Sequence, residues 1–92
     1  MISRYNKIMF AVYILKSLKD HRLYIGSTKN LRERLLEHND GKVYSTKNRR
    51  PFKVIYCELY RSEEDARVRE HNLKLRTNAY RQLKRRIKKS IE

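Results

Sequence analysis

The chain is poor in cysteine, proline, glycine and acidic side chains, and each shortage excludes something. Its one cysteine, Cys57, rules out an intramolecular disulfide and argues against a cysteine-built zinc site. That usage fits a reducing cytoplasm, and Cys57 is expected to pack in a strand. Two glycines and one proline are few for a loop-rich fold. No apolar run is long enough to span a bilayer, since the stretch from Ile8 to Leu15 is only of strand length. No signal-peptide core followed by a small-residue cleavage site stands in the chain. Ten Asp and Glu face 24 Lys and Arg, which leaves a formal net charge of +14 on 92 residues. A surface that positive attracts polyanions by counterion release before any specific contact forms. Without a membrane-spanning segment, the expected polyanion is nucleic acid. Histone-like and ribosomal proteins share this charge balance, so charge names a partner class and no chemistry.

What is present is enough for one small domain. Hydrophobic residues make up 39% of the chain, too many for a disordered basic tail. Residues 1–8 show no period and read as a flexible N-terminal extension to a single domain over 9–92. Phe10 to Lys16 is β-branched, aromatic and aliphatic, which predicts a strand. Ser17 to His21 is a polar turn, and Arg22 to Ser27 a second strand ended by Gly26. Asn30 then caps a helix, with Glu33 in capping-box position, and Asp40-Gly41 ends it. Leu31, Leu35 and Leu36 are its expected apolar contacts. A basic loop from Lys42 to Lys53 precedes a third strand, Lys53 to Tyr60. Ser62 and Asp65 open a second helix that runs to about Leu75, and a last helix spans about Asn78 to Ser90. The order ββαβαα implies an α+β domain, a three-stranded antiparallel sheet flanked by helices. On the last helix Tyr80, Leu83, Ile87 and Ile91 form an apolar stripe, while Arg81, Lys84, Arg85 and Lys88 form a basic one. The apolar stripe is expected to dock and the basic one to face outward.

Some residues are out of place for an ordinary core. Arg34 and His38 lie four apart beside the apolar stripe of the first helix, so their heads can converge. The plainer reading is an arginine snorkelling at the core edge with a partly buried histidine. Glu70 shares the inward face of the second helix with Ala66, Leu73 and Thr77. A buried carboxylate needs a cation, a metal or several donors. That means an ion pair with Arg34 or another arginine, a metal ligand, or a perturbed acid. Tyr13 and Tyr24 sit on the hairpin, where tyrosine is ordinary, and turn register leaves open whether they share a face. Gly26, at a strand end, permits close approach of a backbone or a phosphate.

Taken in order, these residues resemble the GIY-YIG nuclease family. Its second tripeptide stands intact as Tyr24-Ile25-Gly26, and its first as Ala11-Val12-Tyr13, which keeps the tyrosine and loses the glycine. The Arg34–His38 helix follows, then the Lys47-Asn48-Arg49-Arg50-Pro51 loop, then Arg69-Glu70-His71-Asn72-Leu73-Lys74, where Glu70 matches the family's metal-binding glutamate. The resemblance is closest to short stand-alone bacterial proteins related to the N-terminal incision domain of the ABC excinuclease. Gln82 stands where many family nucleases carry an asparagine.

The resemblance implies phosphodiester hydrolysis with one Mg²⁺ or Mn²⁺ held by Glu70. It makes Arg34 the partner of the non-bridging oxygens. Tyr13 becomes the general base, or part of a relay with His38, and Tyr24 orients water or phosphate. A free tyrosine, with a pKa near 10, is a poor base at neutral pH, so Arg34 and the metal are expected to lower it. Lys42, Lys47, Arg49, Arg50 and Lys53, with Tyr44, Ser45 and Thr46 among them, are expected to bind phosphates and stack on an unpaired base, and Arg81, Lys84, Arg85 and Lys88 to hold the backbone. DNA is the expected substrate, with RNA left open, in repair, recombination or mobile-element processing. The alternatives are a nucleic-acid-binding module that cuts nothing and a nuclease that depends on a protein partner for recognition.

Overall fold

The β-branched and aromatic run at the start forms strand β1, Phe10–Ser17, in a computed structural model that describes residues 9–92. The extension read at residues 1–8 lies outside the described residues. Strand β2 is Leu23–Thr28 and strand β3 is Phe52–Tyr60, joined antiparallel in the order β2-β1-β3. Because β1 is central and covered on both faces, Ala11 to Leu15 are all buried and its sequence is a continuous apolar run.

The hairpin register decides what lies on each face. Tyr13 pairs with Gly26 and Leu15 with Tyr24, so both tyrosines share one face. Helix α1, Leu31–Asn39, covers that face through Leu31 and Leu35, against Tyr13, Leu15 and Phe52. Val12, Ile14 and Ile25 project from the opposite face. They pack on helix α2, Glu63–Lys74, and helix α3, Asn78–Arg86, through Ala66, Leu73, Tyr80 and Leu83. Full burial of an aliphatic such as Ile14 or Leu73 stabilises by about 1.5–3 kcal/mol. The α+β architecture and its three-stranded antiparallel sheet are as the sequence implies.

The helix starts also match. Asn30 Oδ1 accepts from Glu33 N at 3.1 Å, and Ser62 Oγ accepts from Asp65 N at 3.3 Å. Asn39, at the end of α1, treats β3 as a strand would. Its Oδ1 accepts from Phe52 N at 2.7 Å, and its Nδ2 donates to Phe52 O at 3.1 Å. This clip fixes the last turn of α1, and with it His38, against the sheet.

Several expectations need correction. The last helix breaks at Ile87 (φ −109°, ψ 28°), and helix α4 is Lys88–Ile91. Ile87 and Ile91 both pack on the core, and Lys16 Nζ caps the end by donating to Ile91 O at 2.6 Å. Leu36 is exposed, because at 100° per residue it lies on the far side of the helix from Leu31 and His38, which face the sheet. Cys57 lies in β3 but is exposed, on an edge strand beyond the part of the face that α1 covers. The basic loop contains a 3₁₀ turn at Lys47–Arg49.

Candidate active site

Gly26 seats Tyr13. The two residues are register partners, so the phenol ring lies in the space that a side chain at 26 would take. A Cβ there would fall 2.5 Å from Tyr13 Cζ and closer still to Oη. The seated ring brings Tyr13 Oη to 2.9 Å from His38 Nε2. His38 Nδ1 lies 2.8 Å from Thr46 Oγ1, and His38 and Thr46 are both fully buried. Tyr24 meets the imidazole edge-on, with ring centroids 5.0 Å apart, and its ring lies 6.4 Å from that of Tyr13. Arg34 is half-buried beside this pair and donates to Glu37 Oε1 at 2.9 Å. The first helix thus delivers both members of its Arg-His pair to Tyr13.

Burial pushes the Tyr13 phenol up to about 12, against a downward pull from Arg34, with the charges of Tyr24 and Glu70 adding to the rise. Arg34 pulls the phenol down as expected, but desolvation of a phenolate outweighs this one half-buried guanidinium. Burial and the Arg34 charge push His38 down to about 4, with Glu37 opposing. At neutral pH the pair is a protonated phenol and a neutral imidazole.

A folded-state pKa below the ordinary 6.5 means that the unfolded chain binds the extra proton. Stability from His38 is therefore complete above about pH 6.5 and is lost as pH falls toward 4, a loss of about 3 kcal/mol at most for a shift of this size. Urea unfolding at pH 7, 5 and 4 checks this. The wild-type loss should exceed that of His38→Gln, and parallel losses in the two proteins would refute it.

Glu70 stands on the other face. Its helix packs where Val12, Ile25 and Ser27 project, and the carboxylate accepts from Ser27 Oγ and pairs with Lys74 Nζ at 2.7 Å. The side chain is 19% exposed, so the stripe reading of a mostly buried carboxylate holds, but its cation is Lys74 and no arginine. Burial raises the carboxyl, and the bonds from Lys74 and Ser27 outweigh it, which leaves Glu70 below the usual carboxylate range. Ser27, Arg67, Glu70, His71 and Lys74 line an open cleft. The Tyr13 and Glu70 halves therefore flank edge strand β2, and consecutive residues, Gly26 and Ser27, carry them.

A profile of the GIY-YIG catalytic domain matches residues 9–89. The chain belongs to the GIY-YIG family. It is a nuclease-type domain, which implies a nucleic-acid substrate. The UPF0213 protein of Staphylococcus haemolyticus is 44% identical over 64 residues, covering 68% of this chain and 77% of that protein. That of Clostridium perfringens is 42% identical over 64 residues, 68% of each chain. The solution NMR structure of the UPF0213 protein from Bacillus halodurans aligns at 29% identity and a TM-score of 0.49, covering 82% of this chain and 80% of that one. No described helix is long and apolar enough to cross a membrane.

In this GIY-YIG chain the two tripeptides meet at a single pair across the β1–β2 ladder, Tyr13 opposite Gly26, and Ala11, in place of the first glycine, is buried opposite Thr28. Among the described residues no group of three or more His, Cys, Asp and Glu could hold a metal. Glu70 alone is a single hard oxygen donor at an open cleft. That fits Mg²⁺ or Mn²⁺, which keep most of their waters and take few protein ligands.

The basic residues separate into two groups. Lys42, Lys47 and Arg50 are exposed on the loop beside α1, with Lys47 Nζ 5.1 Å from the ring centre of the exposed Tyr44, while Lys53 is exposed within β3, where it pairs with Lys16. Arg49 is half-buried and held by Asp20 at 2.8 Å, so its charge is already matched. Arg81, Lys84, Arg85 and Lys88 face outward from α3 and α4, on the Glu70 side of the sheet. Sequence reasoning missed Ser27 and Lys74. The i,i+4 spacing of Lys74 from Glu70 signals their pair. Thr46, expected among the phosphate-contacting residues of the loop, is instead fully buried against His38, eight residues before it.

Proposed function

We propose that this domain, over residues 9–92, is a metal-dependent DNA endonuclease, structure-guided or weakly sequence-guided, with a part in repair, recombination or mobile-element processing. The observation that carries the reading is the buried Tyr13–His38 hydrogen bond beside Arg34, one residue along β2 from the Glu70 carboxylate. A phenol held near 12 is a poor base alone, but a neutral imidazole at 2.9 Å can take its proton.

The attacking water would then give a proton to Tyr13 Oη as Tyr13 passes its own to His38 Nε2. A P–O bond forms to the water oxygen, and the bond to the 3′ oxygen breaks with its electron pair. By family analogy the ends are 5′-phosphate and 3′-hydroxyl. Arg34 would leave Glu37 to bond the non-bridging oxygens, and Tyr24 would orient water or phosphate. A divalent ion held by Glu70 would supply Lewis-acid stabilisation of the leaving oxygen. Lys42, Lys47, Arg50 and Lys53, and across the sheet Arg81, Lys84, Arg85 and Lys88, would grip the backbone.

A second reading, a DNA- or RNA-binding module that cuts nothing, is favoured by Lys74, whose ammonium already neutralises Glu70. One experiment separates the two. Branched, nicked, single-stranded and duplex DNA are incubated with the protein in Mg²⁺, Mn²⁺ or EDTA, with Arg34→Ala alongside. The nuclease reading expects cutting that needs metal and falls by roughly 10²–10³ in Arg34→Ala. Tight binding with no cutting under any metal supports the module, and cutting unchanged by EDTA overturns the metal dependence.

A further inference from the structure

We infer that Thr46 is a positioning residue that fixes the His38 ring in the tautomer protonated at Nδ1, leaving Nε2 bare for the Tyr13 proton. The inference rests on the nuclease reading for its catalytic meaning, but its geometry stands by itself. His38 is fully buried among the rings of Tyr13, Tyr24 and Phe52, whose centroids lie 5.0–6.0 Å away. Ring packing of this kind cannot tell an imidazole nitrogen from a carbon, nor one tautomer from the other. The two hydroxyls at its ends can.

The Tyr13 hydroxyl is buried and needs an acceptor. Arg34 beside it carries only donors, and the acceptor in reach is His38 Nε2 at 2.9 Å. Nε2 must then be bare, and the proton of the neutral ring sits on Nδ1. That N–H points at Thr46 Oγ1, 2.8 Å away, which accepts it and can send its own proton to Val43 O at 3.4 Å. The opposite tautomer would aim Nε2–H at Tyr13 and leave the phenol proton with no partner. In the first arrangement every group is satisfied, consistent with the absence of unpaired buried side-chain polar atoms among the described residues. Thr46 also lies in the Lys42–Lys53 loop, next to Lys47 and two residues from Tyr44. The segment proposed to meet the nucleic acid thus carries the far end of the proton relay.

The test reads the ring nitrogens directly. Long-range ¹H–¹⁵N spectra of labelled protein at pH 7 should show His38 Nδ1 protonated and Nε2 bare. Thr46→Val, which keeps the shape and removes the acceptor, should shift this toward the other tautomer or a mixture, and Thr46→Ser should restore it. On DNA, Thr46→Val should lower kcat by roughly 10²-fold with KM little changed, and Thr46→Ser should recover most of it. A wild-type His38 protonated at Nε2, or a Thr46→Val protein with an unshifted tautomer, overturns the inference. Should Thr46→Val not fold, Thr46→Ala, which also removes the acceptor, carries the same test, with an unshifted tautomer again overturning the inference. Expected spectra without any wild-type cutting would instead count against the nuclease reading and leave the tautomer assignment standing.

Discussion

Glu70→Ala is expected to lower metal-dependent cutting by about 10³-fold or more while leaving DNA affinity near wild type. The size follows from the role. Lewis-acid stabilisation of a leaving oxygen amounts to several kcal/mol, and each 1.4 kcal/mol or so is tenfold in rate. No other carboxylate joins Glu70 in a cluster able to take over the ion among the described residues. The fold should tolerate the change. The carboxylate gives up an i,i+4 pair with Lys74, which is itself half exposed, and such pairs contribute only about 0.3–0.5 kcal/mol. Ser27 Oγ loses its acceptor but keeps access to the cleft. Affinity should hold because the phosphate-binding charges lie elsewhere. Cleavage rates in Mg²⁺ and Mn²⁺, filter binding in EDTA and a thermal melt check all three. Cutting within tenfold of wild type would sink the assignment of Glu70 as metal ligand.

Gly26→Ala is expected to cost both stability and activity, although it adds one methyl group. Gly26 has no left-handed φ, so the backbone accepts alanine and the cost is one of space alone. The new Cβ would occupy the position of the Tyr13 phenol, and that ring is only 1% exposed, with no room to swing aside. Overpacking of this kind costs about 1–3 kcal/mol. In a domain of this size each kcal/mol is roughly 4–8 °C in Tm. Activity should fall further than stability explains, by roughly 10²-fold, because displacing Oη from His38 breaks the proposed relay. Gly41→Ala makes a useful contrast. Gly41 has φ +78°, and its neighbour is the flexible end of Arg50, so it should destabilise through backbone strain with little effect on kcat. A Gly26→Ala protein with wild-type Tm and rate would show that Tyr13 is not seated over residue 26.

Local sequence patterns carry over directly into the fold. The Asn30 and Ser62 caps form with the bonds their spacing implies. Tyr80, Leu83 and Ile87 bury, and Arg81, Lys84, Arg85 and Lys88 stay outside, because helical geometry relates neighbours three and four apart. The Arg34–His38 pairing was legible for the same reason. Leu36 differs from expectation because it lies on the far side of α1 from Leu31 and His38, and the last helix differs because its backbone breaks at Ile87 although its stripe still packs inward.

The sequence by itself determined the elements, their order, the basic surface and the residue types of the site. The tertiary structure alone decided how those residues work together. Strand register put Tyr13 and Tyr24 on one face and Ser27, with Glu70, on the other, and a slip of one residue would have exchanged the faces. Packing, which depends on every element at once, buried Tyr13 and His38 deeply enough to hold the phenol protonated and the imidazole neutral. The loop that follows α1 then supplied Thr46, eight residues on, to the far side of that ring.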